Sequence, residues 1–292
     1  MRRLIVTADD FGLCSGINRG VVAAFREGIV TRASLAPVGE AFDAAVALAR
    51  SIPGLAIGIH LALTEERPVC APARVRTLLG PDGRFLKDAP ALAWRGATGG
   101  IDGVELEREL RAQIERVLDA GLRPGHLDSH CHVGVLPTCF RAMAQLAREY
   151  RIPYLRLPVG PLSLEPWGGA PELVRRSLLL AGIGSWARIL KGRLPAGEIR
   201  CADQVTGLRH SGSLDKRLLM DILRHLPDGD TELICHPGLA DIAARERYGH
   251  WHYDWDRELG ALTDPEVRGF IARESIHLTS SLENSSREGP QD

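Results

Sequence analysis

Short apolar runs alternate with segments of helical periodicity along this chain of 292 residues, and side chains able to bind a metal stand where several of the runs end. That combination constrains the fold more than any other feature. Strands that alternate with helices argue for a parallel sheet, and in parallel α/β folds functional groups gather at the carboxyl ends of the strands. Leu4 to Ala8 predicts a buried strand that runs into Asp9 and Asp10. Leu55 to Leu61 predicts another, with His60 near its end, and Thr231 to Cys235 leads into His236. The stretch from His126 to His132 supplies a fourth. An open sheet spreads such ends along a line, whereas a barrel collects them around one mouth. The expected fold is therefore α/β, an irregular (β/α) barrel that is TIM-barrel-like, with the active site at the carboxyl ends of the strands. One domain is expected over residues 1–279, followed by a polar, disordered tail over 280–292.

The remaining elements follow from pattern and caps. Ser15 reads as the N-cap of a helix with Ile17, Val21, Val22 and Phe25 on one face and Gly28 at its end. Residues 31–38 predict a strand and 40–50 a helix. Asp102 caps a helix over 104–120, which Gly121 stops. Further helices are expected over 137–150 and 214–226, and strands over 153–157 and 275–279. Residues 62–101 and 160–200 read as two excursions, the first rich in Gly and Pro and poor in regular structure.

The stretch His126-Leu127-Asp128-Ser129-His130-Cys131-His132 carries the chemistry. In an extended segment side chains alternate between faces, so His126, Asp128, His130 and His132 would share one, and Cys131 would pack on the other. Aspartate and histidine together suit a catalytic divalent site, where three protein ligands leave a position open. Such an ion acidifies water and polarises a carbonyl oxygen. A neighbouring carboxylate can then take a proton and a histidine across the site can give one. Adjacent Asp9 and Asp10 suit a division of labour between ligand and base. The blander alternatives are a turn with helix-capping acids at Asp9 and Asp10 and a satisfied core or surface histidine at His60. The pair His250 and His252, which flanks Trp251, is assigned no role.

Composition narrows the classes. With 45% hydrophobic and 25% charged residues the chain is globular, and a net charge of −1 excludes a global nucleic-acid binder. No apolar stretch reaches membrane-spanning length. Six scattered cysteines without a Cys-x-x-Cys pair read as reduced thiols. No signal-peptide pattern precedes the first strand, so a cytoplasmic location is expected, with peripheral contact at the inner membrane as the extension considered. That extension comes from the excursion holding Arg175, Arg176, Leu178, Leu179, Leu180, Trp186, Arg188, Lys191 and Arg193. It reads either as a surface for a membrane or lipid-like substrate, or as a core helix with a solvated basic side.

The pieces Thr7-Ala8-Asp9-Asp10-Phe11-Gly12, Gly58-Ile59-His60-Leu61, His126 to His132 and Cys235-His236-Pro237 resemble, in order and spacing, those of the YdjC-like carbohydrate deacetylases. The segment from Asp203 to Gly212 is similar to that of the hopanoid-biosynthesis-associated branch. The resemblance implies a metal-dependent hydrolase that removes the N-acetyl group of an amino sugar, in that branch an N-acetylglucosaminyl hopanoid. It implies one divalent ion, zinc or magnesium, held by Asp10, His60 and His130. Asp9 would be the general base and His236 the acid, with His126, Asp128 and His132 as outer-shell or substrate contacts. The implied partner is an acetylated amino sugar, lipid-linked in that branch, and a homodimer is the assembly considered. Relatives often carry a further histidine where this chain has Gly134. Two rivals are a metal hydrolase of the amidohydrolase kind, using His130 and His132 as a His-x-His pair, and a catalytically silent sugar- or lipid-binding protein.

Overall fold

The computed structural model describes residues 1–160, 171–195 and 197–282. The elements are, in order, β1 (Arg2–Phe11), α1 (Ser15–Glu27), β2 (Arg32–Leu35), α2 (Phe42–Ser51), β3 (Ala56–Leu61), α3 (Ala89–Ala97), α4 (Gly103–Asp119), β4 (Leu127–Ser129) and α5 (Pro137–Glu149). They continue with α6 (Pro171–Lys191), β5 (Gln204–Thr206), α7 (Lys216–Arg224), β6 (Gly229–Cys235), α8 (Ile242–Tyr248), α9 (Trp255–Thr263), α10 (Pro265–Arg273) and β7 (His277–Leu278). Every strand pair is parallel, in the order β4-β3-β2-β1-β6-β5, and β7 lies beside the first residues of β1.

The sheet curls, and residues 153–159 join its two edges. Leu127 donates its N–H to the Tyr154 carbonyl at 2.9 Å, and Arg156 donates back to the Leu127 carbonyl at 2.9 Å. On the other side Leu155 donates to Arg200 at 2.9 Å and Val205 to Val159 at 2.7 Å. The result is the expected barrel-like α/β architecture. The strand expected over 153–157 is reduced to single bridges at Tyr154 and Leu155. Pro153 and Pro158 flank it and have no N–H to give a ladder.

Several helices form as their sequences dictate. Asp102 accepts from the N–H groups of Val104 and Glu105, and Leu106, Leu110, Ile114 and Val117 line the buried stripe of α4. Ser15 is not the cap of α1: Cys14 holds that position without a side-chain bond, and the Ser15 hydroxyl donates to Asp241 at 3.2 Å. The Gly20 face of α1 lies against the loop after β6, where a Cβ would come within 2.2 Å of the Gly238 Cα.

The two excursions hold more structure than expected. Asp88 caps α3, and short 3-10 turns cover Pro72–Arg74 and Arg76–Leu78. Only Leu92 of α3 is fully buried, so the helix leaves little hydrophobic periodicity in the sequence. The second excursion contains α6, with Ala187 and Leu190 buried and the Trp186 indole donating to the Val135 carbonyl at 2.8 Å. The stretch around Trp167, the side chains of Arg175 to Leu178 and the tail from residue 283 lie outside the described residues. Among the described residues no helix is long and apolar enough to cross a membrane.

Candidate metal and hydrolase site

The two adjacent aspartates end up side by side because β1 is irregular at its end. Its register against β2 shifts between Ala8 and Phe11, and Asp10 adopts a φ of 65°. Bulges of this kind re-aim side chains next to functional sites. Asp9 and Asp10 thus both lie close to His60. Non-glycine residues at positive φ recur around this end of the barrel: Asp10, Glu65, Cys131, His132 and His252. Such strain persists only where surrounding contacts hold it.

His60 and Asp128 are register partners on β3 and β4. That places His60 Nδ1 2.6 Å from Asp128 Oδ1, and Ser34 donates to the same oxygen at 2.7 Å. The strand then stops. β4 covers only Leu127–Ser129, and Cys131 and His132 have φ of 52° and 54°. The expectation that His126, Asp128, His130 and His132 share one extended face is therefore corrected. His126 and Asp128 share the barrel interior, whereas the turn after Ser129 carries His130 to the mouth. Cys131, expected to pack, is exposed.

His60, His130 and Asp10 meet at one point. His60 Nε2 lies 3.4 Å from His130 Nδ1, and Asp10 Oδ1 lies 3.4 Å from His60 Nε2 and 3.3 Å from His130 Nδ1. Donor atoms held tetrahedrally around a zinc ion at about 2.0–2.1 Å are about 3.4 Å apart, so this donor set fits such an ion. The Asp10 contacts have ion-pair distances without hydrogen-bond geometry, leaving both its oxygens buried with no hydrogen-bond partner. The local field also favours a cation. Burial alone would lower His60, but Asp9 and Asp128 outweigh it and raise the imidazole to about 9. Burial would raise Asp10, yet His130 and His60 hold it well below the usual carboxylate range. His132 is outside the donor set. Desolvation and the Arg156 charge push it down to about 3. A His130–His132 pair, the amidohydrolase-like arrangement, is not what the structure assembles.

Arg156, absent from the expected site, ties the carboxylates together. It donates to both oxygens of Asp9 at 2.7 and 2.6 Å, lies 2.5 Å from Asp128 Oδ2 and donates through Nε to Glu232 at 2.8 Å. Burial would raise Asp9, but the charges of Arg156 and His60 keep it low and ionised. Glu232 also accepts from Arg32 at 2.7 Å, from Thr7 at 2.7 Å and from the Tyr154 hydroxyl. A signal existed: Arg156 interrupts the apolar run Tyr154-Leu155-Arg156-Leu157, and Glu232 lies inside a strand directly before the apolar Leu233-Ile234-Cys235. Charged residues are almost never fully buried unless paired, so the pair was legible as a mutual requirement.

His236 follows β6. Its N–H donates to Glu258 Oε2 at 2.6 Å, and its Nδ1 lies 3.8 Å from the same carboxylate. Burial lowers this imidazole, but Glu258, Asp10 and Asp9 raise it on balance. Glu258 was not foreseen. His126 lies on the barrel floor, 3.6 Å from Asp128 Oδ2 and edge-on to Tyr154, where burial and Arg32 hold it neutral. The loop holding His250 and His252, given no role from sequence, places Trp251 against His130 and Tyr253 against His236, with ring centroids 5.2 and 4.9 Å apart.

The profile of the YdjC-like protein family matches residues 3–273. A carbohydrate deacetylase of Geobacillus stearothermophilus is 33% identical over 97% of this chain and 98% of its own length. The human carbohydrate deacetylase is 35% identical over 94% of this chain and 89% of its own. Among solved structures, a protein of Enterococcus faecalis V583 named for cellobiose-phosphate cleavage superposes with a TM-score of 0.75 at 25% identity, covering 95% of this chain and 97% of that one.

Proposed function

The chain belongs to the YdjC-like family, and from that premise we propose that it is a metal-dependent carbohydrate deacetylase, hydrolysing the N-acetyl group of an amino sugar. The observation that carries this reading is the meeting of Asp10, His60 and His130 beside an Asp9 carboxylate clamped by Arg156. These three residues would hold the ion, with Asp128 fixing the His60 ring from behind. When bound, a divalent cation supplies Lewis acidity, lowering the pKa of water and stabilising charge on a carbonyl oxygen.

The protein's own groups account for the proton movements. Asp9 accepts the proton of the attacking water, for which its ionised state suits it. Arg156 fixes the direction of that carboxylate through two parallel bonds. The water oxygen adds to the acetyl carbon, the C–N bond breaks and acetate leaves. The departing nitrogen takes its proton from His236, which Glu258 keeps charged more readily than an isolated imidazole. His132 and the rim of the mouth would contact the sugar, while His126 supports Asp128 from below.

The finer reading is an N-acetylglucosaminyl hopanoid substrate. It is supported by the resemblance of residues 203–212 and by the exposed Leu179 and Ile189 of α6, which offer an apolar surface to a lipid-linked sugar. The test is acetate release by metal-stripped protein restored with zinc or with magnesium, given the hopanoid glycoside or a chitobiose-type sugar. Metal-dependent release from the hopanoid glycoside in preference to the chitobiose-type sugar is expected. Release from the chitobiose-type sugar alone would remove the lipid-linked reading. Tight sugar binding with no acetate from any acetylated sugar would favour a catalytically silent binding protein.

A further inference from the structure

The two imidazoles of the donor set are held in different ways. His60 has its second ring nitrogen tied to Asp128 at 2.6 Å. Metal-binding histidines generally have such an outer partner, which fixes tautomer and ring orientation. His130 turns Nδ1 toward Asp10 and His60; among the described residues no carboxylate or carbonyl hydrogen-bonds its other nitrogen, and the polar side chain beside the ring is the Cys131 thiol.

What covers the His130 ring is Trp251, at 5.2 Å between centroids and 35° between planes. The indole is itself clamped. Its Nε1–H donates to Glu65 Oε2 at 2.8 Å, and the Tyr248 ring lies 4.5 Å away. Tyr248 is 1% exposed and donates to Glu66 at 3.1 Å, and Arg247 donates to Glu66 at 2.6 Å. Glu65 stands at a φ of 63°, an arrangement that costs strain and needs these contacts to persist. The segments after β3 and β4 and the turn after α8 therefore meet at one aromatic ring lying against His130.

We propose that Trp251 is a positioning residue for His130, doing by ring contact and through its Glu65 anchor what Asp128 does for His60 by hydrogen bond. The inference rests on the proposed cation site but concerns a residue outside the donor set. Its consequence is a change in cation affinity. The experiment measures zinc affinity of the metal-stripped full-length protein by competition with a chelating dye, for wild type, Trp251→Ala, Trp251→Phe and Glu65→Ala, with thermal melts alongside. Losing an outer-shell partner weakens metal binding roughly 10–100-fold, and that is the loss expected for Trp251→Ala. Trp251→Phe and Glu65→Ala, which remove the N–H anchor but not the contact, fall between it and wild type. At saturating zinc, Trp251→Ala regains most of its kcat with an unchanged KM.

A folded Trp251→Ala protein that binds zinc like wild type overturns the proposal. A raised KM with unaltered zinc affinity also overturns it, by making Trp251 a substrate contact. Should Trp251→Ala not fold, wild-type zinc affinity in Glu65→Ala has the same force. A wild-type protein that takes up no zinc refutes the cation site itself, an outcome separate from wild type and variants binding equally.

Discussion

Replacing Arg156 by Lys keeps the charge and removes the fork. The arginine makes two bonds to Asp9, one to Glu232 and a 2.5 Å contact to Asp128, all in the buried interior. An ammonium cannot keep the parallel pair to Asp9 and still span the distance to Glu232. Hydrogen bonds to charged groups contribute about 1.5–3 kcal/mol each, so losing one or two costs about 3 kcal/mol after partial relaxation. For 292 residues the unfolding entropy is about 0.6 kcal/mol/K, from about 2.1 cal/mol/K per residue. The melting temperature should therefore fall by about 5 °C. Activity should fall much further. Asp9 loses its fixed direction, and misplacement of a reacting group by about 1 Å costs on the order of 100-fold. The assays are calorimetry and acetate release at saturating metal. A folded Arg156→Lys protein with near-wild-type kcat would refute the claim that the guanidinium aims the base.

Asp9→Asn should lower turnover by roughly 10²–10⁴-fold, the usual contribution of a general base, while metal uptake persists; His130→Ala should instead lose the metal, as read by metal analysis after dialysis. Stability should depend on pH through Glu232. Burial raises this carboxyl, but Arg32, Arg156 and the Tyr154 hydroxyl outweigh it and hold it far below its usual 4.5. A depressed folded pKa stabilises the fold above about pH 4.5, and the contribution fades as pH falls toward the folded value. Urea titrations at pH 7 and below pH 4.5 should show that loss in wild type and a shallower one in Glu232→Gln; equal slopes would count against the assignment. Gly58→Ala should destabilise by about 1–3 kcal/mol, the usual cost of overpacking, because a Cβ there would come within 2.2 Å of the His126 ring. An unchanged denaturation midpoint would mean that the barrel floor yields more easily than its packing implies.

Much of the site was readable as residue types at strand ends. Asp9, Asp10 and His236 lie where an apolar run stops, His60 lies near the end of one, and His130 belongs to the polar stretch from His126 to His132; parallel strands bring such ends to one side. What could not be read was the direction each side chain takes. The face shared by His126, Asp128, His130 and His132 depended on an extended backbone, and the turn at Cys131 and His132 ended it. The short helices α8, α9 and α10 start at aspartate caps, Asp241, Asp254 and Asp264, a signal that a reading by hydrophobic periodicity passes over.

The amino-acid order by itself determined the alternation of strands and helices, the caps that start α4 and the chemical character of the site, because these depend on neighbours within a few residues. Only the tertiary structure decided that Arg156 would join Asp9, Asp128 and Glu232, that Glu258 would stand behind His236 and that Trp251 would lie on His130. Those partners are separated by up to 147 residues for Arg156 and Asp9. Buried charge requires a partner but does not name one, and the choice falls to whichever strands the curl of the sheet brings face to face.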